Sequence, residues 1–150
     1  MKVSTKGRYG LRALVDLANH SSNGHVALNS IAERQNISAN YLEQVFSTLR
    51  KAGLVKSVKG AQGGYSLAYT PSKITIGMVL RALEGTLSLV DDTEDKTNDL
   101  QDRSVQYCIK INVWDKMTLN LNNLVDAITL EDLVNDYKTM TGTLSSMYYI

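Results

Sequence analysis

The side chains with the most to offer chemically lie between positions 38 and 62. Ser38, Asn40, Tyr41 and Gln44 are polar groups set close together, and Asn and Gln each donate and accept at once. That pairing matches the N6 and N7 groups adenine presents in a major groove, and Glu43 beside them can accept from cytosine N4. Further along, Lys56 and Lys59 precede Gly60-Ala61-Gln62-Gly63-Gly64, a turn whose glycines let backbone N–H groups approach phosphates. Lys2, Lys6, Arg8 and Arg50 could add phosphate clamps, which give salt-dependent affinity without sequence information. Catalysis has no comparable set. His20 and His25 stand in or beside a loop without a partner pattern for metal or acid–base work. No Gly-x-Ser-x-Gly is present, and Gly63-Gly64 lacks the lysine and helix of a phosphate cradle. The chain is expected not to be an enzyme.

Groups of this kind act only if a scaffold presents them together. Residues 4–20 have a helical pattern, with Ser4 as cap and Leu11, Leu14, Val15 and Ala18 as an apolar stripe. A loop at Ser21–Gly24 leads to a short helix from about Asn29 to Gln35. Asn36-Ile37-Ser38 then makes a tight connection in which Asn tolerates a left-handed helix end and Ser38 caps the next helix. The run Ala39–Ala52 carries Leu42, Val45, Phe46 and Leu49 at helical spacing. Asn40, Tyr41, Gln44, Ser47 and Lys51 lie on its other face, and Gly53 closes it. Strands at Leu54–Lys59 and Tyr65–Tyr69 flank the glycine turn as a hairpin. This order of elements predicts a winged helix-turn-helix: mainly α with a small β-hairpin wing.

Beyond it, Thr75 caps a helix from Ile76 to Glu84, closed by Gly85. These elements divide the chain into 1–85 as the DNA-binding winged helix-turn-helix, 86–97 as an acidic linker, 98–137 as a dimerisation helix and a short following helix, and 138–150 as an irregular tail. The long helix, about Asn98 to Ala127, carries Val105, Ile109, Val113, Met117, Leu121, Leu124 and Ile128 as one stripe, widened by Trp114 and Val125. Thr129 caps the short helix after it.

The net charge of +1 conceals an asymmetry. Residues 1–65 hold nine Lys and Arg against three acids, so that half carries +6 and the remainder −5. A polyanion partner is implied for the first half only. No apolar run approaches the roughly 18 residues of a membrane span, and the first residues carry no secretory pattern. A cytoplasmic location is expected.

Several segments resemble the IscR/CymR family of bacterial winged-helix regulators. They are Lys6-Gly7-Arg8-Tyr9, Tyr41-Leu42-Glu43-Gln44, Leu49-Arg50-Lys51-Ala52-Gly53-Leu54-Val55, Gly60-Ala61-Gln62-Gly63-Gly64-Tyr65, Leu83-Glu84-Gly85 and Thr129-Leu130-Glu131-Asp132-Leu133. The resemblance implies a homodimer joined through the long helix, with a partly palindromic double-stranded DNA operator. By position it implies Ser38, Asn40, Tyr41 and Gln44 as helix contacts and Lys59 as the basic wing residue.

Iron–sulfur members of that family carry three cysteines before the dimer helix, where this chain has acids. Its single cysteine, Cys108, cannot supply the four ligands a cluster needs, so no cofactor and no metal are expected. Cys108 is either a lone redox sensor or, more in keeping with its place, a small apolar residue along the dimer helix. A cation at Asp91, Asp92, Glu94 and Asp95 is a weaker alternative to simple solvation. Lack of those cysteines is similar to the cysteine-metabolism branch of the family, as is the ending Met147-Tyr148-Tyr149-Ile150. That resemblance implies repression of cysteine and sulfur-assimilation genes with cysteine synthase (O-acetylserine sulfhydrylase) as sensing partner. Ile150 and its carboxylate would occupy the enzyme's substrate site, with Tyr148 and Tyr149 at the entrance.

Overall fold

The computed structural model describes the backbone of residues 2–90 and 104–149, and the side chains of all these except Asn23 and residues 143–149. The acidic residues Asp91, Asp92, Glu94 and Asp95, much of the expected linker, and Ile150 lie outside the described residues.

Helix α1 (Thr5–His20) starts at Ser4, whose hydroxyl accepts from Gly7 N at 3.3 Å. Helix α2 (Leu28–Gln35) ends at Asn36 with φ 53°, a left-handed turn that Asn adopts readily because its side chain is short and polar. Ser38 then caps α3 (Ala39–Lys51), accepting from Tyr41 N at 3.4 Å. Strands β1 (Val55–Val58) and β2 (Gly64–Leu67) pair antiparallel, with Val55 opposite Leu67 and Val58 opposite Gly64. Helix α4 (Ile76–Glu84) is capped by Thr75. Residues 105–126 form α5: α-helical turns at Val105–Ile109, a wider π turn at Lys110–Trp114, and α-helix again over Asp115–Asp126. Helix α6 (Leu130–Tyr149) is the last of the described elements. Among the described residues no helix is long and apolar enough to cross a membrane.

The core is the apolar face of α3, where Leu42, Val45, Phe46 and Leu49 are all buried, packed against Leu14 and Leu17 of α1, Ile31 of α2, Val79 of α4 and Leu130 of α6. Burying one such side chain contributes roughly 1.5–3 kcal/mol, so these positions hold the outer face of α3 in place.

Two sequence expectations need correction. The buried face of α1 runs through Gly7, Gly10, Ala13, Leu14, Asp16 and Leu17, while Leu11, Val15 and Ala18 are only half-buried. Small residues permit this rotation: a Cβ on Gly10 would come within 2.4 Å of Leu83 Cδ1 and 3.1 Å of Val45 Cγ1. The helix after Thr129 is not short, and the backbone expected to be irregular from Lys138 is helical to Tyr149. No proline interrupts that run. Thr139 and Thr141 return their hydroxyls to the carbonyls of Asn135 and Tyr137, both at 3.0 Å, so their polar groups are satisfied within the helix rather than drawing the backbone into a turn. The expected start is as read: Thr129 Oγ1 accepts from Asp132 N at 3.1 Å while Asp132 Oδ2 accepts from Thr129 N at 3.0 Å, a reciprocal capping box.

Candidate nucleic-acid interface

The first turn of α3 is built by its cap. Ser38 Oγ satisfies the Tyr41 amide, one of the first-turn N–H groups that lack a partner within the helix, and Asn40, Glu43 and Gln44 extend outward as exposed side chains. Arg50 and Lys51, also exposed, fall in the last turn. The outer face therefore presents amide groups near its N-terminus and cations near its C-terminus.

Tyr41 is placed differently from Asn40 and Gln44. It is half-buried, its ring meeting Tyr9 of α1 edge-on at 5.9 Å between centroids and 80° between planes. Arg12 lies over the other ring of the pair, 5.1 Å from the Tyr9 centroid, and also donates to the Gln35 carbonyl at the end of α2. This stack braces the start of α3 against α1. Beneath it, Asp16 is a buried carboxylate with a side-chain exposure of 2%. It accepts from Arg34 Nε and Nη2 at 2.7–3.1 Å and from Gln35 Nε2 at 2.9 Å. The hydrogen bond to Asp16 holds the Arg34 guanidinium more basic than usual. A charge pair of this geometry ties α2 to α1 and so seats the turn that launches α3.

The wing carries Lys56 and Lys59 exposed, with Gln62 exposed at the tip. Gly60 has φ 115°, a conformation that a side chain resists, and accepts from Gly63 N at 3.0 Å to close the turn. The hairpin is anchored from outside as well. Val26 and Tyr65 exchange backbone hydrogen bonds at 2.8 Å in each direction, and His25 Nε2 contacts the Gln62 carbonyl. Gly64 makes that strap possible, since a Cβ there would meet Val26 O at 2.2 Å. Tyr65 packs on Phe46, 4.8 Å between ring centroids, which joins wing to α3 core.

The elements thus bring Asn40, Tyr41, Gln44 and Arg50 onto α3 with Ser38 at its cap, and Lys59 and Gln62 onto the adjoining hairpin. Lys2 is exposed just before α1. Arg8, exposed on α1, donates to Thr5 Oγ1 at 3.2 Å and lines a groove of about 780 Å³ between α1, α2 and α6, with Leu11, Val15, Leu133 and Tyr137. Cys108 is exposed on α5, its Sγ 3.5 Å from Asn112 Nδ2. The backbone of Tyr148 and Tyr149 belongs to α6; their side chains and Ile150 lie outside the described residues.

Sequence patterns missed Asp16, Arg12, His25 and the group Arg81, Asn122 and Asp126. Only Asp16 left a signal: an acid in a helical position flanked by Ala13, Leu14 and Leu17. The others act across the fold, where spacing along the chain carries no information.

Comparison with known proteins agrees with this geometry. The family model Rrf2, described as iron-dependent transcriptional regulator, matches residues 3–136. The HTH-type transcriptional regulator CymR of Bacillus subtilis strain 168 is 43% identical over 135 residues, covering 90% of this chain and 91% of that protein. IscR of Aliivibrio salmonicida strain LFI1238 is 41% identical over 139 residues, covering 91% of this chain and 79% of that protein. The solved structure of CymR, described as the global cysteine regulator of B. subtilis, superposes with a TM-score of 0.75 at 42% identity, covering 90% of this chain and 97% of that one.

Proposed function

The chain belongs to the Rrf2 family of transcriptional regulators, and from that premise we propose that it is a homodimeric repressor of cysteine and sulfur-assimilation genes whose sensing partner is cysteine synthase. It is a DNA-binding regulator and not an enzyme. The observation that carries the DNA-binding mode is the division of α3 into a fully buried apolar face and an exposed amide-bearing face beside a lysine-bearing hairpin. Asn40 and Gln44 read base edges, Ser38 and Tyr41 set the helix start, and Lys59, Gln62, Lys2, Arg50 and Arg8 meet the backbone.

Dimerisation is supported by α5. Val105, Ile109, Val113, Met117 and Leu124 form a stripe with exposures from 39% to 77%, an apolar seam of the kind that helices bury against one another. A symmetric pair of recognition helices then requires a partly palindromic operator.

The choice of sulfur metabolism rests on the cysteine count and on likeness to CymR. The family description carries iron dependence, yet the chain has one cysteine and two histidines. One thiolate and scattered imidazoles do not fit a cluster held by four ligands. We therefore propose that the chain holds no iron–sulfur cluster and that sensing passes to a partner. The Tyr148-Tyr149-Ile150 segment is proposed to dock on the enzyme through its apolar side chains, with O-acetylserine releasing it. The test is association of purified cysteine synthase with the full chain and with a variant lacking Ile150. Loss of binding for the truncated protein, and release of the intact complex by O-acetylserine, are expected; unchanged affinity discards the tail mechanism.

A second mode of sensing is favoured by the exposure of Cys108. An accessible thiol can oxidise to a sulfenic acid. Operator affinity of the parent and of Cys108→Ser, with and without peroxide, separates the two: a response confined to the parent assigns sensing to the thiol.

A further inference from the structure

We infer that Arg81, Asn122 and Asp126 form a latch that sets the angle at which α5 leaves the winged-helix body, and thereby the operator half-site spacing this regulator accepts. The inference rests on the dimeric reading proposed above, with α5 as the helix that joins two copies.

The end of α5 is seated on the body by Val125, buried in the core with Leu121 and Ile128 packed against it, and two sets of polar contacts orient it. At its foot the backbone is pinned: Ile76 N donates to Ile128 O at 2.8 Å and Leu130 N donates to Ile74 O at 2.9 Å. Such a hinge fixes where the helix ends but leaves its tilt to the side chains above it. One turn higher, Arg81 of α4 donates through Nη1 to Asp126 Oδ1 at 2.7 Å and through Nη2 to Asp126 Oδ2 at 2.8 Å. Nη2 also donates to Asn122 Oδ1 at 2.7 Å. The Asn122 amide is itself held, donating through Nδ2 to Leu87 O at 3.0 Å and to Thr118 O at 2.7 Å. A planar guanidinium met by a two-oxygen carboxylate and a fixed amide tolerates little rotation. Gly77 leaves the space this needs: a Cβ there would lie 2.0 Å from Asp126 Oδ1 and 2.9 Å from Arg81 Nη1.

The consequence is geometric and not chiefly energetic. Arg81 and Asp126 are 37% and 44% exposed, and ion pairs at such exposure add little to stability. Tilt, however, is amplified by length. Residues 105–126 extend about 33 Å at the helical rise of about 1.5 Å per residue, so a tilt of roughly 6° moves the far end by about one base-pair step of ~3.4 Å. A latch that holds the tilt within a few degrees holds the two α3 helices to one spacing. Arg81, Asn122 and Asp126 are positioning residues in this sense; none touches DNA.

The test uses the full chain and a palindromic duplex selected from a random pool with the parent protein. Half-site separation is varied by one and two base pairs in each direction, and a single half-site is measured alongside. The parent should lose about 30-fold in affinity for a one-pair change, the order expected when one half-site is misplaced. Arg81→Met should lose about 3-fold or less for the same change while keeping its single half-site affinity and a melting temperature within about 4 °C of the parent. The reversed pair Arg81→Asp with Asp126→Arg should recover part of the steepness. Asp126→Asn, of the same shape, carries the test should Arg81→Met fail to fold. A spacing profile as steep in the variants as in the parent overturns the latch. A parent indifferent to spacing overturns the dimeric reading and the latch together.

Discussion

Asp16→Ala removes the one carboxylate buried among the described residues, and its effect can be worked from the contacts it makes. Asp16 accepts from three Arg34 N–H···O contacts and from Gln35, and its side chain is 2% exposed. Breaking a buried ion pair by deleting one partner costs about 3–5 kcal/mol, because the remaining charge is left unpaired. Arg34 is 36% exposed and can turn partly into water, which places the cost at the low end, about 3 kcal/mol. For a chain of this length that corresponds to a fall in melting temperature of roughly 6–12 °C. Urea titration of parent and variant, with an unchanged m value, gives the difference directly. Since α3 keeps its own buried face, operator affinity measured well below the transition should change by no more than about 3-fold. A stability loss under about 1 kcal/mol would show the pair behaving as a surface ion pair, and the account of how α2 is seated beneath the turn would be wrong.

Other perturbations separate the parts of the interface. Gln44→Ala should relax preference at one base pair by about 1–3 kcal/mol, whereas Lys59→Ala should weaken binding to all duplexes and reduce the slope of log K against log salt by about 1. Equal losses on specific and random DNA for both variants would remove α3 from base reading. Gly64→Ala should detach the Val26 strap from the wing, raising amide exchange at Val26 and Tyr65 while α3 amides stay protected; unaltered exchange would contradict the crowding seen there. Through its hydrogen bond, Arg81 holds the Asp126 carboxyl below its ordinary 3.8. A lowered carboxyl contributes fully above that value and is lost only as pH falls through the lowered one, so half-site spacing preference should be flat from about pH 8 to about pH 5. A loss of preference near neutrality would point to some group other than Asp126.

What could be read from the chain, and what could not, has a physical pattern. The buried face of α3 was legible because Leu42, Val45, Phe46 and Leu49 are large and repeat at helical spacing, and the hairpin because glycines bracket its tip. The face of α1 was misread because half its buried positions are Gly7, Gly10 and Ala13, which pack by being small and carry no hydrophobic signal. The extent of α6 was misread because Thr and Ser suggest irregular backbone, though here the described threonine hydroxyls bond within the helix. In the interface, Asn40 and Gln44 stand as the pattern predicts, but half-burial of Tyr41 against Tyr9 is a tertiary event that α3 alone does not encode. Arg81 and Asp126 lie 45 positions apart, and nothing in either neighbourhood announces the other.

The central claim is that the outer face of α3 enters the major groove of each half-site. An iron–EDTA cleavage reagent tethered to cysteine at position 44, in a Cys108→Ser background, tests it at the level of single nucleotides. Two symmetric clusters of strand cuts are predicted, centred about one helical turn or a whole number of turns apart, while the same reagent at Glu131 leaves the duplex intact. Cuts from position 131 with none from position 44 would contradict the account.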